Sequence, residues 1–276
     1  MTPDDLAMLD HAAVDRSLVC GEVWAANSNV AHAVDLPGLR AWIYSAPVEL
    51  GRNGGDIHYL SACNSGVVCR IALVDVSGHG HVVSGVAERL LGLMQAHINR
   101  PEQREVLREL GQSILDMNGN GSDRGMFATA LLIGFDSSSG EVTVTNAGHP
   151  PPLWYHADEQ RWTWLQPAAE QTDDALVGLP LGMDLGGSYV DEFMHLGVGD
   201  LLICYSDGLS DAADSAGRRL DGDDLIALAR RLPAGSPMAA GATLLGLVDE
   251  WRRGGSAGDD ETLIVLHRRP DAARAR

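Results

Sequence analysis

The spacing of apolar and polar positions changes several times along the chain, and these changes divide it into strands and helices. From Ala41 the sequence reads as strands. Ala41-Trp-Ile-Tyr-Ser45 precedes a turn-rich stretch, Gly51-Arg-Asn-Gly-Gly-Asp56, and Val67–Val76 is a β-branched and apolar run ending in Ser77-Gly-His-Gly80. Val83, Val86, Leu90, Met94 and Ile98 then recur at three- and four-residue steps, the stripe of an amphipathic helix. Asn99-Arg-Pro101 stops that helix, and Pro101 is placed to open another. The second helix has Val106, Leu110 and Ile114 on one face and is broken by Asn118-Gly-Asn-Gly121.

Strands follow. Phe127–Asp136 is an apolar run, Ser137–Gly140 a hairpin turn, and Glu141–Asn146 its alternating partner. Pro150-Pro-Pro152 leads into Leu153-Trp-Tyr155 and then Trp162-Thr-Trp-Leu165, whose tryptophans read as core or cross-strand pairs. Met126 and Phe127 read as core. Asp200–Tyr205 is a buried strand ending at Ser206-Asp-Gly208, and helical stretches at 222–232 and 237–252 precede a last strand, Thr262–His267. Residues 1–40 are Ala-rich and weakly patterned, an irregular or helical lead-in, and 271–276 form a tail. With no internal repeat or linker between, 41–270 reads as one α+β domain.

Charge and cysteines narrow the function. Lys and Arg total 20 against 38 Asp and Glu, a net charge of −18. A phosphate backbone is normally met by a basic face, so nucleic acid is excluded as the expected partner. The four cysteines, Cys20, Cys63, Cys69 and Cys204, form no C-x-x-C pair, which leaves zinc ribbons and redox motifs unsupported. There is no signal-peptide pattern at the start and no apolar run of the ~18 residues that span a bilayer. The expectation is a soluble, cytoplasmic protein without a membrane partner.

The candidate chemistry lies in aspartates that share one local context. Asp56 follows Gly54-Gly55, Asp75 ends an apolar strand, Asp207 ends another before Gly208, and Asp259-Asp260 stand before the last strand. A lone Asp-Gly usually marks a turn. Four carboxylates at strand ends, beside glycines that let a ligand approach the backbone, suit a hard divalent cation that takes oxygen donors. Without such a cation their clustering would be repulsive.

Gly54-Gly-Asp56, Asp75-Val-Ser-Gly-His-Gly80, Asn146-Ala-Gly-His-Pro150, Gly199–Gly208 and Asp259–Leu266 occur in that order. The series, spanning about Pro47 to Leu266, resembles the SpoIIE-like branch of the PPM (protein phosphatase 2C-like) serine/threonine phosphatases. The resemblance implies a four-layer α-β-β-α sandwich of two antiparallel sheets flanked by helices. It implies two divalent cations, Mn2+ or Mg2+, with Asp75 bridging them, the Val76 carbonyl a further ligand, Asp56 on one metal, and Asp207 and Asp259 on the other. Asp75 and Asp207 would thereby be catalytic, and a metal-bound water would attack phosphorus in place of a protein nucleophile. The implied substrate is a phosphorylated regulatory protein, with a STAS-domain anti-sigma-factor antagonist as its class.

Some positions depart from the pattern. Tyr59 stands where the family commonly has another Asp, and His58 is considered as its substitute. Arg52 is the candidate phosphate grip. His79, two residues beyond Ser77, is a candidate general acid, weighed against a turn role. His149 is read chiefly as a turn residue, and a His79/His81 zinc pair lacks further ligands. The segment Gln166–Asp191 matches a family region beside the active-site cleft. Two other readings are a phosphoprotein-binding module of the same fold and a Gly-Gly-Asp-Glu-Phe nucleotide cyclase. The cyclase is disfavoured, because here Gly-Gly-Asp is followed by Ile57-His58 and the Asp75 and Asp207 motifs would go unexplained.

Overall fold

The computed structural model describes residues 16–17, 21–26, 29–48, 54–63, 67–78, 81–98, 100–120, 125–165, 177–183, 187–253, 255 and 257–270. The expected sandwich is present. One sheet has the order β1-β3-β4-β13-β12-β9-β10 and the other β11-β8-β7-β6-β5-β2. Their strands are β1 (Arg16–Ser17), β2 (Gly21–Ala26), β3 (Val30–Leu36), β4 (Leu39–Ala46), β5 (Asp56–Cys63), β6 (Val68–Val76), β7 (Ala128–Asp136), β8 (Glu141–Ala147), β9 (Leu153–His156), β10 (Arg161–Trp164), β11 (Glu192–His195), β12 (Leu201–Tyr205) and β13 (Glu261–Arg268). All named strand pairs are antiparallel except the two-residue pairing of β1 with β3.

Three apolar clusters account for the layers. Ile43, Leu60, Leu73, Ile133, Leu202 and Ile264 fill the space between the sheets. Helices α1 (His81–His97) and α2 (Gln103–Asn120) cover the outer face of the six-stranded sheet, where Val86, Leu90 and Met94 meet Ile57, Tyr59 and Val74. Helices α4 (Gly222–Ala229) and α5 (Pro237–Arg252) cover the seven-stranded sheet, packing Leu225, Leu244 and Val248 on Trp42, Ile203 and Val265. The central strands are therefore buried on both faces. For this reason β12 is uniformly apolar where a half-exposed strand would alternate.

Local signals set the ends of α4 and α5. Asp221 caps α4 through a reciprocal capping box with Asp224, and Ser236 caps α5 with Pro237 at its first turn. Several elements differ from the sequence reading. Residues 16–17, 21–26 and 30–36, expected to be irregular or helical, are strands of the two sheets, so the sandwich begins before residue 41. β2 pairs with β5 and β3 with β4, and this pairing overrides a weak local pattern. The helix α2 starts at Gln103, two residues beyond Pro101, and runs through the expected break to Asn120. β11 extends the six-stranded sheet beyond β8, and α4 ends at Ala229, short of residue 232.

Candidate metal centre

Asp56 opens β5 and is the register partner of Asp75, near the end of β6. Successive side chains alternate between the faces of a strand. Leu60 and Leu73 face the core between the sheets, so Asp56 and Asp75 continue that inner face as charged groups at its open end. The other sheet contributes from the same end. β12 pairs with β13 through Tyr205 and Leu263, which brings the residues after β12 beside those before β13. Asp207 there opens the four-residue helix α3 (Asp207–Ser210), and Asp259-Asp260 immediately precede β13. These carboxylates gather where the two sheets meet at that end.

Close backbone approaches and hydroxyl bridges hold this junction. A Cβ on Gly55 would lie 2.5 Å from the Val76 carbonyl oxygen, and one on Gly208 would lie 2.1 Å from that of Asp260. Only glycine permits either contact. Ser206, fully buried, donates its hydroxyl to Asp56 Oδ2 at 2.7 Å and accepts the Thr262 N–H at 2.9 Å. Thr262 Oγ1 lies 3.0 Å from Ser45 Oγ on the neighbouring strand β4. The Ser206 hydroxyl thus bridges the two sheets, and none of these hydroxyls was singled out from sequence. Serines and threonines in strands are too common to signal such a role.

The adjacent residues Asp259 and Asp260 differ in their hydrogen bonding. Both oxygens of Asp260 are engaged, Oδ1 by the Val48 N–H at 2.8 Å and Oδ2 by the Gly55 N–H at 2.7 Å. Asp260 thus fastens the β13 entry to the loop that carries Asp56. Asp259 accepts the Asp260 N–H on Oδ1 at 2.8 Å and acts electrostatically on Asp75 and Asp207.

The carboxylates disturb one another. Burial, and then the charge of Asp75, hold Asp56 well above the ordinary carboxylate range. Burial followed by the charges of Asp207 and Asp259 pushes Asp75 up to about 8, and burial with Asp259 raises Asp207. The buried Oδ1 of Asp56 has no hydrogen-bond partner among the described residues. Among those residues, no three His, Cys, Asp or Glu side chains already stand at metal-enclosing distances. Like carboxylates in a poorly solvated cleft hold apart unless protons or a cation intervene. An all-oxygen donor set, an orphaned buried carboxylate oxygen and a carbonyl beside a glycine fit a hard divalent cation.

The other candidates separate from this cluster. His58 is 1% exposed, and the charge acting on it is that of His32; burial lowers its pKa to about 3. Tyr59 is fully buried under α1 and α2. His149 pairs its Nδ1 with Thr129 Oγ1 at 2.8 Å, while Asn146 holds both its backbone N–H and its carbonyl. Thr129 is the register partner of Asp75, so this turn buttresses the strand beside the cluster. Ser77 is tied to Phe127, accepting its N–H on Oγ at 3.1 Å and donating its own N–H to the Phe127 carbonyl at 2.9 Å. Phe127, expected in the core, is 36% exposed, whereas Met126 packs against the helix-side cluster. Arg52, His79 and the 166–176 stretch of the expected cleft-side segment lie outside the described residues, as does the side chain of His81. Leu181 pairs with Ala128, which joins the described part of that segment to β7 beside Ser77.

Sequence and structural comparisons bear on the fold and the family. The phosphoserine phosphatase RsbP of Bacillus subtilis is 26% identical over 112 residues, covering 40% of this chain and 27% of its own length, so the match spans about a quarter of that relative. The PP2C phosphatase domain of the cell-fate determinant SpoIIE from Bacillus subtilis superposes with a TM-score of 0.66 at 17% identity, covering 83% of this chain and 63% of that one. The catalytic domain of the serine/threonine phosphatase PstP, solved with two manganese ions, gives 0.56 at 16%, covering 83% and 97%. Residues 66–269 match the family model of Stage II sporulation protein E, and the chain belongs to that SpoIIE family.

Proposed function

We propose that the chain is a divalent-metal-dependent phosphatase that hydrolyses phosphoserine or phosphothreonine on a regulatory protein in bacterial signalling. The observation that carries this reading is the meeting of Asp56, Asp75, Asp207 and Asp259 at one end of the sandwich, with a buried Asp56 oxygen lacking any described donor. Asp56, Asp75, the Val76 carbonyl, Asp207 and Asp259 would hold two cations, Mn2+ or Mg2+; the PstP structure with two manganese ions supports the number. Bound there, the cations would supply a water of lowered pKa and neutralise charge on the phosphoryl oxygens.

The chain's own residues prepare the cleft. Asp75 faces the carboxylates of the other sheet, and burial with the charges of Asp207 and Asp259 pushes its pKa up to about 8; a divalent cation held there would offset that repulsion. Ser206 fixes Asp56 by donating to it. Asp260 holds the Gly55 and Val48 amides and so sets the entry to β5. The name of the relative RsbP supports a phosphoserine substrate, and the family resemblance points to a STAS-domain anti-sigma-factor antagonist. No described helix is long and apolar enough to cross a membrane, in keeping with a cytoplasmic substrate.

Hydrolysis of an aryl phosphate with Mn2+, with and without a chelator, tests the chemistry on wild type and Asp75→Asn. Activity is expected only with wild type and metal. Activity that persists under chelation or in Asp75→Asn would sink the mechanism, and no activity in any condition would favour a phosphoprotein-binding module.

A further inference from the structure

A buried ion pair lies against the turn that carries Asp207. Arg252, at the end of α5, is 5% exposed. Its guanidinium binds the Glu261 carboxylate, donates from the same Nη2 to the Gly208 carbonyl at 3.1 Å, and reaches Asp249 on its own helix at 3.4 Å. One side chain thus joins the last turn of α5, the turn next to Asp207, and the start of β13, two residues after Asp259.

Stability alone does not account for this arrangement. Desolvation consumes much of what a buried ion pair gains, and apolar replacements are often neutral or better. The helix already buries Leu244, Leu245, Leu247 and Val248. A guanidinium offers several N–H donors in a rigid fork, which can hold a carboxylate and a carbonyl together. Gly208 is also the residue whose backbone meets the Asp260 carbonyl, so both ligand-bearing segments are referenced to one point. The cation acting most on Asp207 is Arg219, which leaves Arg252 a geometric task rather than an electrostatic one.

The geometry points to Arg252, with Glu261, as positioning residues that fix Asp207 and Asp259 relative to one another for metal binding; this rests on the metal-dependent reading above. Ligand-supporting contacts of this kind are typically worth about 10- to 100-fold in metal affinity. Lysine at position 252 keeps the charge beside Glu261 but lacks the fork that spans both partners.

The test uses Arg252→Lys and the double variant Arg252→Met/Glu261→Leu, which removes the pair without leaving an unpaired charge. Titration calorimetry with Mn2+ and metal-free amide hydrogen exchange are the readouts, with thermal unfolding to establish folding. Arg252→Lys is expected to fold, to bind Mn2+ at least about tenfold more weakly, and to exchange the Leu209 and Asp211 amides faster. Those amides close the turn onto Ser206 and Asp207. The double variant, when folded, should behave alike; if it does not fold, the lysine variant decides. Wild-type affinity in a folded Arg252→Lys, or unchanged exchange at these amides, overturns the positioning role. Wild type that binds no Mn2+, or Asp207→Asn that binds it unchanged, overturns the metal reading; metal-free exchange then decides the Arg252 role by itself, faster exchange in Arg252→Lys upholding it and unchanged exchange overturning it.

Discussion

Replacing Ser206 by alanine isolates the bridge between the sheets. The hydroxyl is fully buried, donates to Asp56 Oδ2 at 2.7 Å and accepts the Thr262 N–H at 2.9 Å. Alanine leaves the Thr262 amide without its acceptor, which costs about 1–3 kcal/mol for a buried donor. It also removes a hydrogen bond to a carboxyl group, about 1.5–3 kcal/mol when that group is charged. The volume lost is a single oxygen, and cavity formation adds little. The expected loss is about 3–5 kcal/mol, a large share of the ~5–15 kcal/mol that holds a typical domain folded. In a chain of this size it lowers the melting temperature by on the order of 10 °C. Urea unfolding of wild type and Ser206→Ala, followed by circular dichroism, measures it, with Ser45→Ala as a companion that removes only the outer hydroxyl contact at 3.0 Å. A loss below about 1 kcal/mol for Ser206→Ala, or a loss equal to that of Ser45→Ala, would refute the argument that this hydroxyl couples the sheets.

Three further expectations follow from neighbouring features. Asp259→Asn is expected to weaken Mn2+-dependent phosphate hydrolysis while leaving the urea midpoint near wild type. Asp260→Asn, which turns an amide nitrogen toward one of two backbone donors, is expected to lose about 2–3 kcal/mol; the opposite pattern would exchange their roles. Gly208→Ala should lower stability by about 1–3 kcal/mol, because its methyl would meet a backbone oxygen at 2.1 Å, whereas Gly246→Ala in α5 has no atom within 4 Å and should gain a few tenths to ~1 kcal/mol. Equal unfolding midpoints for the two alanine variants would contradict the close approach. Burial lowers the pKa of His149 to about 3, below its ordinary value near 6.5, so the stability its neutral form contributes is complete above pH 6.5 and is lost as pH falls toward 3. The stability difference between wild type and His149→Gln should therefore shift by about 2 kcal/mol against wild type between pH 7 and pH 5, and a difference independent of pH would disprove it.

The sequence carried the elements whose environment is uniform. Val68–Val76 and Leu201–Tyr205 are apolar on both faces because core lies on one side and helices on the other, and such runs are legible without a structure. The stripe from Val83 to Ile98 gave α1 for a similar reason, since one face alone must be buried. Gly21–Ala26 and Val30–Leu36 were not legible as strands. Their pattern is weak, and pairing with β4 and β5 supplies what propensity does not. β11 was missed because four residues with Phe193 78% exposed carry no core-facing run.

The aspartates divide along the same line. Their residue type and their place at strand ends beside glycine were local facts, so Asp56, Asp75 and Asp207 could be named from sequence. Everything that depends on which strands become neighbours required the fold: the pairing of Asp56 with Asp75, the hydroxyl of Ser206 across the sheets, and the Arg252 contact to Gly208. The contrast within Asp259-Asp260 follows from the same cause. Two identical adjacent side chains are indistinguishable in a one-dimensional pattern, and only the amides of Val48 and Gly55, more than 200 residues away in sequence, assign the structural role to Asp260. The sequence determined which chemical groups are available and on which elements. The tertiary structure decided which of them meet, because hydrogen bonds and like-charge repulsion act through distance in space and not along the chain.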